Sequence, residues 1–358
     1  KRWAREFKYR RIQNRNLIKY KTKNTTHLML FIVPGSDTET GKDKISGGTI
    51  SILSLVEESI KLKDLHRAEI FITTINEESL LLKHEKAGSQ QCVFRFSQFR
   101  NQFDEITKLT IHIPEYLLRS FYDNLNYKDR KWLNNIDCVH LNILNQNIQL
   151  MPSSEIVQRL KSLCNEMTMT TAHKKYCNLD VRNMYGLPLH LLSVWISPEK
   201  YIFKGWSEKE NLLIISPDLH PDKNLIIDEL KKIPGLKIQI INKLTYNEYK
   251  HLISMAKWSL TLGEGLDGYF IEPIFSGAIS FAIFNDEFFT SDFRNLSTIY
   301  KSTEELIKKI KFDIIRLNEE NQAKTYQDVL FKLCSYYYNS EKYVDNLRRF
   351  YLKEYTYA

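Results

Sequence analysis

Apolar runs of strand length alternate with stretches of helical period along most of the chain, and they do so in two series. Strands separated by helices pair in parallel, so this pattern restricts the fold to an α/β class with helix-covered parallel sheets. The first series predicts strands at 27–33, 68–74, 93–96, 109–113, 138–144 and 167–171, with helices at 49–62 and 154–164. The second predicts strands at 212–215, 237–241, 258–262 and 278–284, with helices at 224–233, 245–256, 270–276 and 302–316. Residues 188–204 read as a connector. The expected architecture is two Rossmann-like domains facing across a cleft: a basic segment (1–24), a first domain (25–205), a second domain (206–322) and a helical tail (323–358). Ligands of such sheets bind beyond the carboxyl ends of the strands, which places the expected site in that cleft.

A length of 358 residues with 43% hydrophobic residues suits two cores and excludes a disordered chain. No apolar run has the length of a membrane span. Lysine and arginine total 51 against 43 acidic residues, and the +8 balance suits an anionic partner. The surplus is densest in residues 1–23, where Arg2, Arg5, Lys8, Arg10, Arg11 and Arg15 interleave with Trp3, Phe7, Ile12 and Leu17. Such a segment fits a helix lying on an anionic membrane surface, a solvated helix packed on the domain, or a linker. Five scattered cysteines without a CxxC pair indicate reduced thiols and a cytoplasmic setting.

The stretch richest in chemistry is 260–273. A strand runs into a turn with Gly263, Gly265 and Gly268, and a helix opens directly after it, so that free N–H groups face whatever sits at the turn. Glu264 lies in the turn and Glu272 in the helix, a Glu-x7-Glu spacing. Read without a ligand, Glu272 is a carboxylate near a helix start and Glu264 a solvated loop residue. A GxxxxGK[ST] loop, HExxH, GxSxG and Asp-x-Asp are all absent, which disfavours P-loop enzymes, zinc hydrolases and metal-clamped sugar transferases. No nucleic-acid module is recognisable, and no nucleic-acid partner is expected.

The 260–277 stretch resembles the retaining GT-B glycosyltransferases of the family 4 type, whose turn reads E-G-F-G before a second Glu. The resemblance implies that Glu264 contacts the donor sugar, that backbone N–H groups of Gly265, Leu266, Asp267 and Gly268 meet the sugar and diphosphate, and that Glu272 holds the ribose. Asp267 stands where the family has its second glycine. The loop at 216–224 is similar to the family's diphosphate loop; Lys223 matches its lysine, while Ser216 or Pro217 occupies the place of its arginine. In the first half, Gly47 and Gly48 look like the family's double-glycine loop under the donor phosphates. His173, in 169-MTTAH-173, looks like the histidine that points at the donor sugar. Lys174, Lys175 and Arg182 are further candidates for charge near the diphosphate or an anionic acceptor, and His140 reads as a strand residue.

The implied activity is transfer from a nucleotide-sugar donor to a saccharide or lipid-linked saccharide acceptor, with retention, in bacterial surface polysaccharide synthesis. No cofactor or metal is expected, the nucleotide-sugar being a substrate. The alternative is a non-catalytic scaffold or regulatory subunit that keeps the fold.

Overall fold

The computed structural model describes residues 2–20, 25–35, 47–76, 80–103 and 105–358. The chain forms two compact units, Lys1–Val194 with Tyr343–Ala358, and Trp195–Lys342. The helices used below are α1 (Arg2–Tyr20), α2 (Gly47–Lys61), α3 (Lys223–Leu230), α4 (Tyr246–Met255), α5 (Gly268–Phe275), α6 (Thr303–Leu317), α7 (Glu320–Tyr337) and α8 (Ser340–Tyr351).

The first unit holds seven strands: β1 (His27–Ile32), β2 (Glu69–Thr74), β3 (Val93–Arg95), β4 (Lys108–Pro114), β5 (Cys138–Asn145), β6 (Glu166–Thr171) and β7 (Leu189–Leu191). Their order is β3-β2-β1-β4-β5-β6-β7, and every pairing is parallel. Parallel strands are covered on both faces, so they read as unbroken apolar runs; β1, His-Leu-Met-Leu-Phe-Ile, is buried throughout. One face carries an aromatic cluster in which Phe71 meets Phe94, Phe99 and Phe103 at centroid distances of 5.8, 5.3 and 5.7 Å.

The strands also bury polar side chains that satisfy one another. His27 Nε2 lies 3.0 Å from Thr110 Oγ1 and His140 Nε2 2.8 Å from Thr168 Oγ1. Thr168 donates to Asn142 Oδ1 at 2.8 Å, and Asn142 Nδ2 reaches His112 Nδ1 at 3.2 Å. Phe350 of α8 lies over His112, His140 and His190. Burial pulls His27 and His140 down to about 4, so both are neutral at physiological pH.

The second unit holds β8 (Glu210–Ile215), β9 (Lys237–Ile240), β10 (Ala256–Leu260), β11 (Ile279–Ile283) and β12 (Ile299–Tyr300), again all parallel, in the order β12-β11-β10-β8-β9. The order reverses between β8 and β10, the topological switch point where open sheets of this kind bind ligands.

Three differences from the sequence reading have clear causes. The connector at 188–204 contains the short edge strand β7, and β12 was not expected; strands of three and two residues leave no periodicity to read. The second unit begins at Trp195 and not at 206, because the segment before it packs on that unit's own core: Tyr201 against Phe275, Phe203 against Phe331, and Lys204 N–H on Ser276 O. Residues 323–358 are not a separate tail. Gln327 of α7 donates to Ile274 O in the second unit, whereas residues from Tyr343 onward belong to the first. There Tyr351 Oη lies 2.5 Å from Ser59 Oγ, Asn346 O is 2.7 Å from His190 Nε2, and Tyr357 bridges to Leu189. Within the basic segment, α1 likewise packs on the first unit: its Gln13 and Leu17 are buried there, with Gln13 donating to Leu81 O and Val93 O.

Candidate functional site

At the switch point of the second unit the loops after β8 and β10 are laced together. Ser216 N–H donates to Leu260 O, and Ser216 Oγ accepts from Leu262 N–H at 3.1 Å. The turn after β10 then bends sharply at Gly265, whose φ of +94° lies in the left-handed region. A Cβ there would sit 2.4 Å from a ring carbon of Phe289, so glycine is required both by conformation and by space. Leu266 is buried and anchors the turn. Among the described residues, none accepts a hydrogen bond from the N–H of Gly265, Leu266, Gly268 or Tyr269. These donors gather at the turn and the start of α5, where the helix dipole adds positive potential.

Asp267 is the N-cap of α5. Its Oδ1 accepts from Phe270 N–H at 3.0 Å and its Oδ2 from Thr261 Oγ1 at 3.0 Å. Burial, with the Asp218 carboxylate as the next cause, pushes its carboxyl up to about 7. Asp218 itself packs on Gly263, whose added Cβ would meet Asp218 Oδ2 at 2.7 Å, and that oxygen is buried without a partner. Lys223, at the start of α3, donates from Nζ to Ser216 O at 2.7 Å and Asp218 O at 2.9 Å, which ties the loop and leaves one ammonium proton free of these bonds.

Glu272 lies on α5 with its carboxyl turned into the unit. The Tyr201 and Tyr246 hydroxyls bond to it and lie 3.1 Å from each other. Glu272 Oε1 lies against Gly268, while Oε2 is buried without a partner. Burial raises the carboxyl to about 8, so Glu272 is neutral at pH 7. Glutamine has the same shape and is neutral at every pH. Glu272→Gln is therefore expected to leave the urea midpoint nearly unchanged at pH 4 and to raise it at pH 7 and above, where the unfolded chain's glutamate is ionised and the folded one is not. Glu272→Ala, which strands two buried hydroxyls, should lower it at pH 4 by about 1–3 kcal/mol.

In the first unit, Gln146 at the end of β5 joins two of the sequence candidates. Its side chain donates to Gly48 O at 3.4 Å, and its backbone bonds to the His173 ring. Burial pulls His173 down to about 4, so the imidazole beyond β6 is neutral. Gly47 and Gly48 form the first turn of α2; Ile45 and Ser46 before them lie outside the described residues. Next to this cluster, Asn145 lines a cavity of about 20 Å³, room for a single water, and among the described residues nothing pairs with its buried Nδ2.

No family model matches the sequence, and no curated protein matches it. Solved structures do match by fold. HepE of Anabaena, in complex with UDP-glucose, superposes at a TM-score of 0.56 over 91% of this chain and 98% of its own, at 9% identity. A glycosyltransferase from Rickettsia africae gives 0.56 over 93% and 98%, at 11% identity. Sucrose-phosphate synthase from Thermosynechococcus elongatus gives 0.54 over 92% and 99%, at 10% identity. The fold is GT-B.

Within the second unit of this GT-B chain, Lys223, Glu264, Gly265, Leu266, Asp267, Gly268 and Glu272 all collect near one end of one sheet, as expected from the motif. Their postures differ from the expectation in three cases. The Asp267 side chain caps α5, the Lys223 ammonium is committed to loop carbonyls, and the Glu272 carboxyl lies beneath two tyrosines. Arg182 donates three of its five guanidinium N–H groups, two to Ala358 O and one to Asn183 Oδ1. Lys174 and Lys175 are exposed, and His140 is a buried strand residue as read. Asp218, Tyr201 and Tyr246 were missed. Asp267 as an N-cap was readable, an aspartate directly before a helix; the tyrosines were not, because they come from segments far from the motif. Among the described residues no group of three or more His, Cys, Asp or Glu side chains is placed to hold a metal ion.

Proposed function

We propose that this protein transfers a sugar from a nucleotide-sugar donor to a saccharide or lipid-linked saccharide acceptor. The observation that carries the reading is the 263–268 turn. Four unused N–H groups gather where a parallel sheet changes direction, at the mouth of α5, and such an arrangement suits a diphosphate. The remaining Lys223 proton adds a charged donor beside it. In the proposed reaction the bond from the anomeric carbon to the diphosphate oxygen breaks, and the acceptor oxygen bonds to that carbon from the same face. The acceptor's proton passes to the departing phosphate. The configuration is retained, and no metal takes part; the charge on the leaving group is met by the N–H groups and Lys223. Glu264, half-buried in the turn, and neutral His173 orient the sugar. We infer that Glu272, on α5, holds the ribose. Surface polysaccharide assembly in the bacterial cytoplasm is the setting we infer. α1 would rest on the inner face of the membrane, with Trp3 and Phe7 stacked and exposed among its basic residues. Among the described residues, no helix is long and apolar enough to cross a membrane.

A screen of nucleotide sugars by ligand-observed NMR, followed by linkage analysis of the product, tests the reading. Lys223→Ala is expected to lower kcat/KM roughly tenfold or more, the scale of one charged contact. An unchanged value would place the diphosphate elsewhere.

The second reading, a GT-B scaffold without catalysis, draws on the same site. Asp218 and Asp267 put carboxyl groups beside the turn, and Lys223 is held by carbonyls. A folded protein whose melting temperature does not move with any nucleoside diphosphate at millimolar concentration would favour it.

A further inference from the structure

We propose that the cavity between α1 and the end of β3 is a binding site for a phosphate-type anion. The cavity measures about 190 Å³, several water volumes. It opens at the carboxyl end of the outermost strand of the first sheet, apart from the Gly48–Gln146–His173 cluster, and the glycosyl-transfer reading does not depend on it.

Three arginines line it. Arg10 comes from α1, Arg95 ends β3, and Arg100 follows the short helix Phe96–Phe99. Among the described residues that line it, none is acidic. Arg100 is fixed from behind by the fully buried Asp129, which also accepts from Asn76 Nδ2 at 2.8 Å, so one edge of its guanidinium is held while the group still borders the cavity.

The neutral groups are arranged for the same kind of ligand. Gln98 Oε1 accepts from Arg95 N–H at 2.7 Å, and Gln98 Nε2 donates to Asn14 Oδ1 at 2.7 Å. Both ends of the Gln98 amide are thereby used. The Asn14 oxygen is used as well, which leaves its NH₂ as the half that faces the cavity. Ser97 N–H is taken by Asn76 Oδ1, and its hydroxyl borders the cavity. Guanidinium forks, an amide NH₂ and a hydroxyl form a lining rich in donors, which suits the oxygens of a phosphate group and disfavours a cation or an apolar ligand. The phosphate is carried either by a dissolved compound or by a lipid headgroup, since α1 also bears the exposed Trp3 and Phe7.

Titration calorimetry of the full chain with inorganic pyrophosphate at constant ionic strength tests the site. Saturable binding is expected, weakened at least tenfold in the Arg10→Ala, Asn14→Ala double variant. Both positions are exposed on α1, and an unchanged circular dichroism spectrum and melting temperature without ligand would show that the variant folds. Lys8→Ala, which removes the same charge from α1 outside the cavity, should leave this component unchanged, whereas Lys223→Ala weakens only pyrophosphate held at the turn of the second unit. A heat profile identical in the double variant and in the unsubstituted chain would overturn the proposal, as would heat that tracks only ionic strength. Vesicles of phosphatidylcholine with phosphatidic acid then separate the sources. If sedimentation with them falls further in Arg10→Ala than in Lys8→Ala, the ligand is a headgroup. If it falls equally in a protein that binds pyrophosphate, the ligand is a dissolved phosphate compound.

Discussion

Gly265→Ala is expected to destabilise the second unit by roughly 2–6 kcal/mol and to abolish the proposed nucleotide binding with it. Two independent costs add. A φ of +94° imposes a strain of about 1–3 kcal/mol on a residue with a Cβ. The new methyl group would also meet the Phe289 ring at 2.4 Å and the Ile283 carbonyl oxygen at 3.2 Å, and forcing atoms into a packed site costs about 1–3 kcal/mol more. Phe289 cannot swing aside freely, because it packs on Phe270, Phe284 and Phe293. Gly263→Ala is the matched control. Its Cβ would meet only the end of the Asp218 side chain, which can rotate away, and no positive φ is involved. Urea unfolding followed by fluorescence of the buried Trp206 and Trp258 measures both variants. Equal midpoints for the two would show that the turn yields more easily than its packing implies.

Acidification is expected to open the first unit while alkalinity loosens the second. His27 and His140 are held down at about 4 from their ordinary 6.5. Below 6.5 the unfolded chain takes up protons that the folded unit refuses, so the stability present at pH 7 is lost as the pH falls toward 4. Between pH 7 and pH 5 the loss is about 2 kcal/mol for each of these two buried groups, or about 4 kcal/mol together. Glu272 and Asp267, raised to about 8 and about 7, act in the opposite sense: their contribution is complete below the ordinary carboxylate range and disappears as the pH rises through 8. Hydrogen exchange at pH 5, 7 and 9 resolves the two units separately. Protection of β4 and β5 should fall at pH 5, and protection of α5 should fall at pH 9. A single pH dependence shared by both units would contradict the assignment.

The architecture was legible because parallel strands buried on both faces leave an unbroken apolar signature; nearly every expected strand appears within a residue or two. The site was legible as a location. A strand, a glycine turn and a helix in succession put Glu264 and Gly265 at the sheet's carboxyl end, and the chain follows that local grammar. The postures of its side chains were not legible. The neutral state of Glu272 is set by burial, against the Tyr201 hydrogen bond that favours the charged form, and that of Asp267 by burial beside Asp218; both environments exist only once distant segments have packed. The unit boundary was missed for the same reason: nothing local to 195–204 reveals that its tyrosine and phenylalanines have partners near 275 and 331.

The chain leaves its first sheet at Val194 and comes back to it only at Tyr343. During synthesis, therefore, the opening half emerges from the ribosome without its lid, with the histidine-bearing face under Phe350 still open to water and to other chains. Residues from Tyr343 onward, made after the whole of the second unit, are the ones that close the first. A nonsense mutation that removes only those residues would release a protein whose second half is whole and whose first half was never finished.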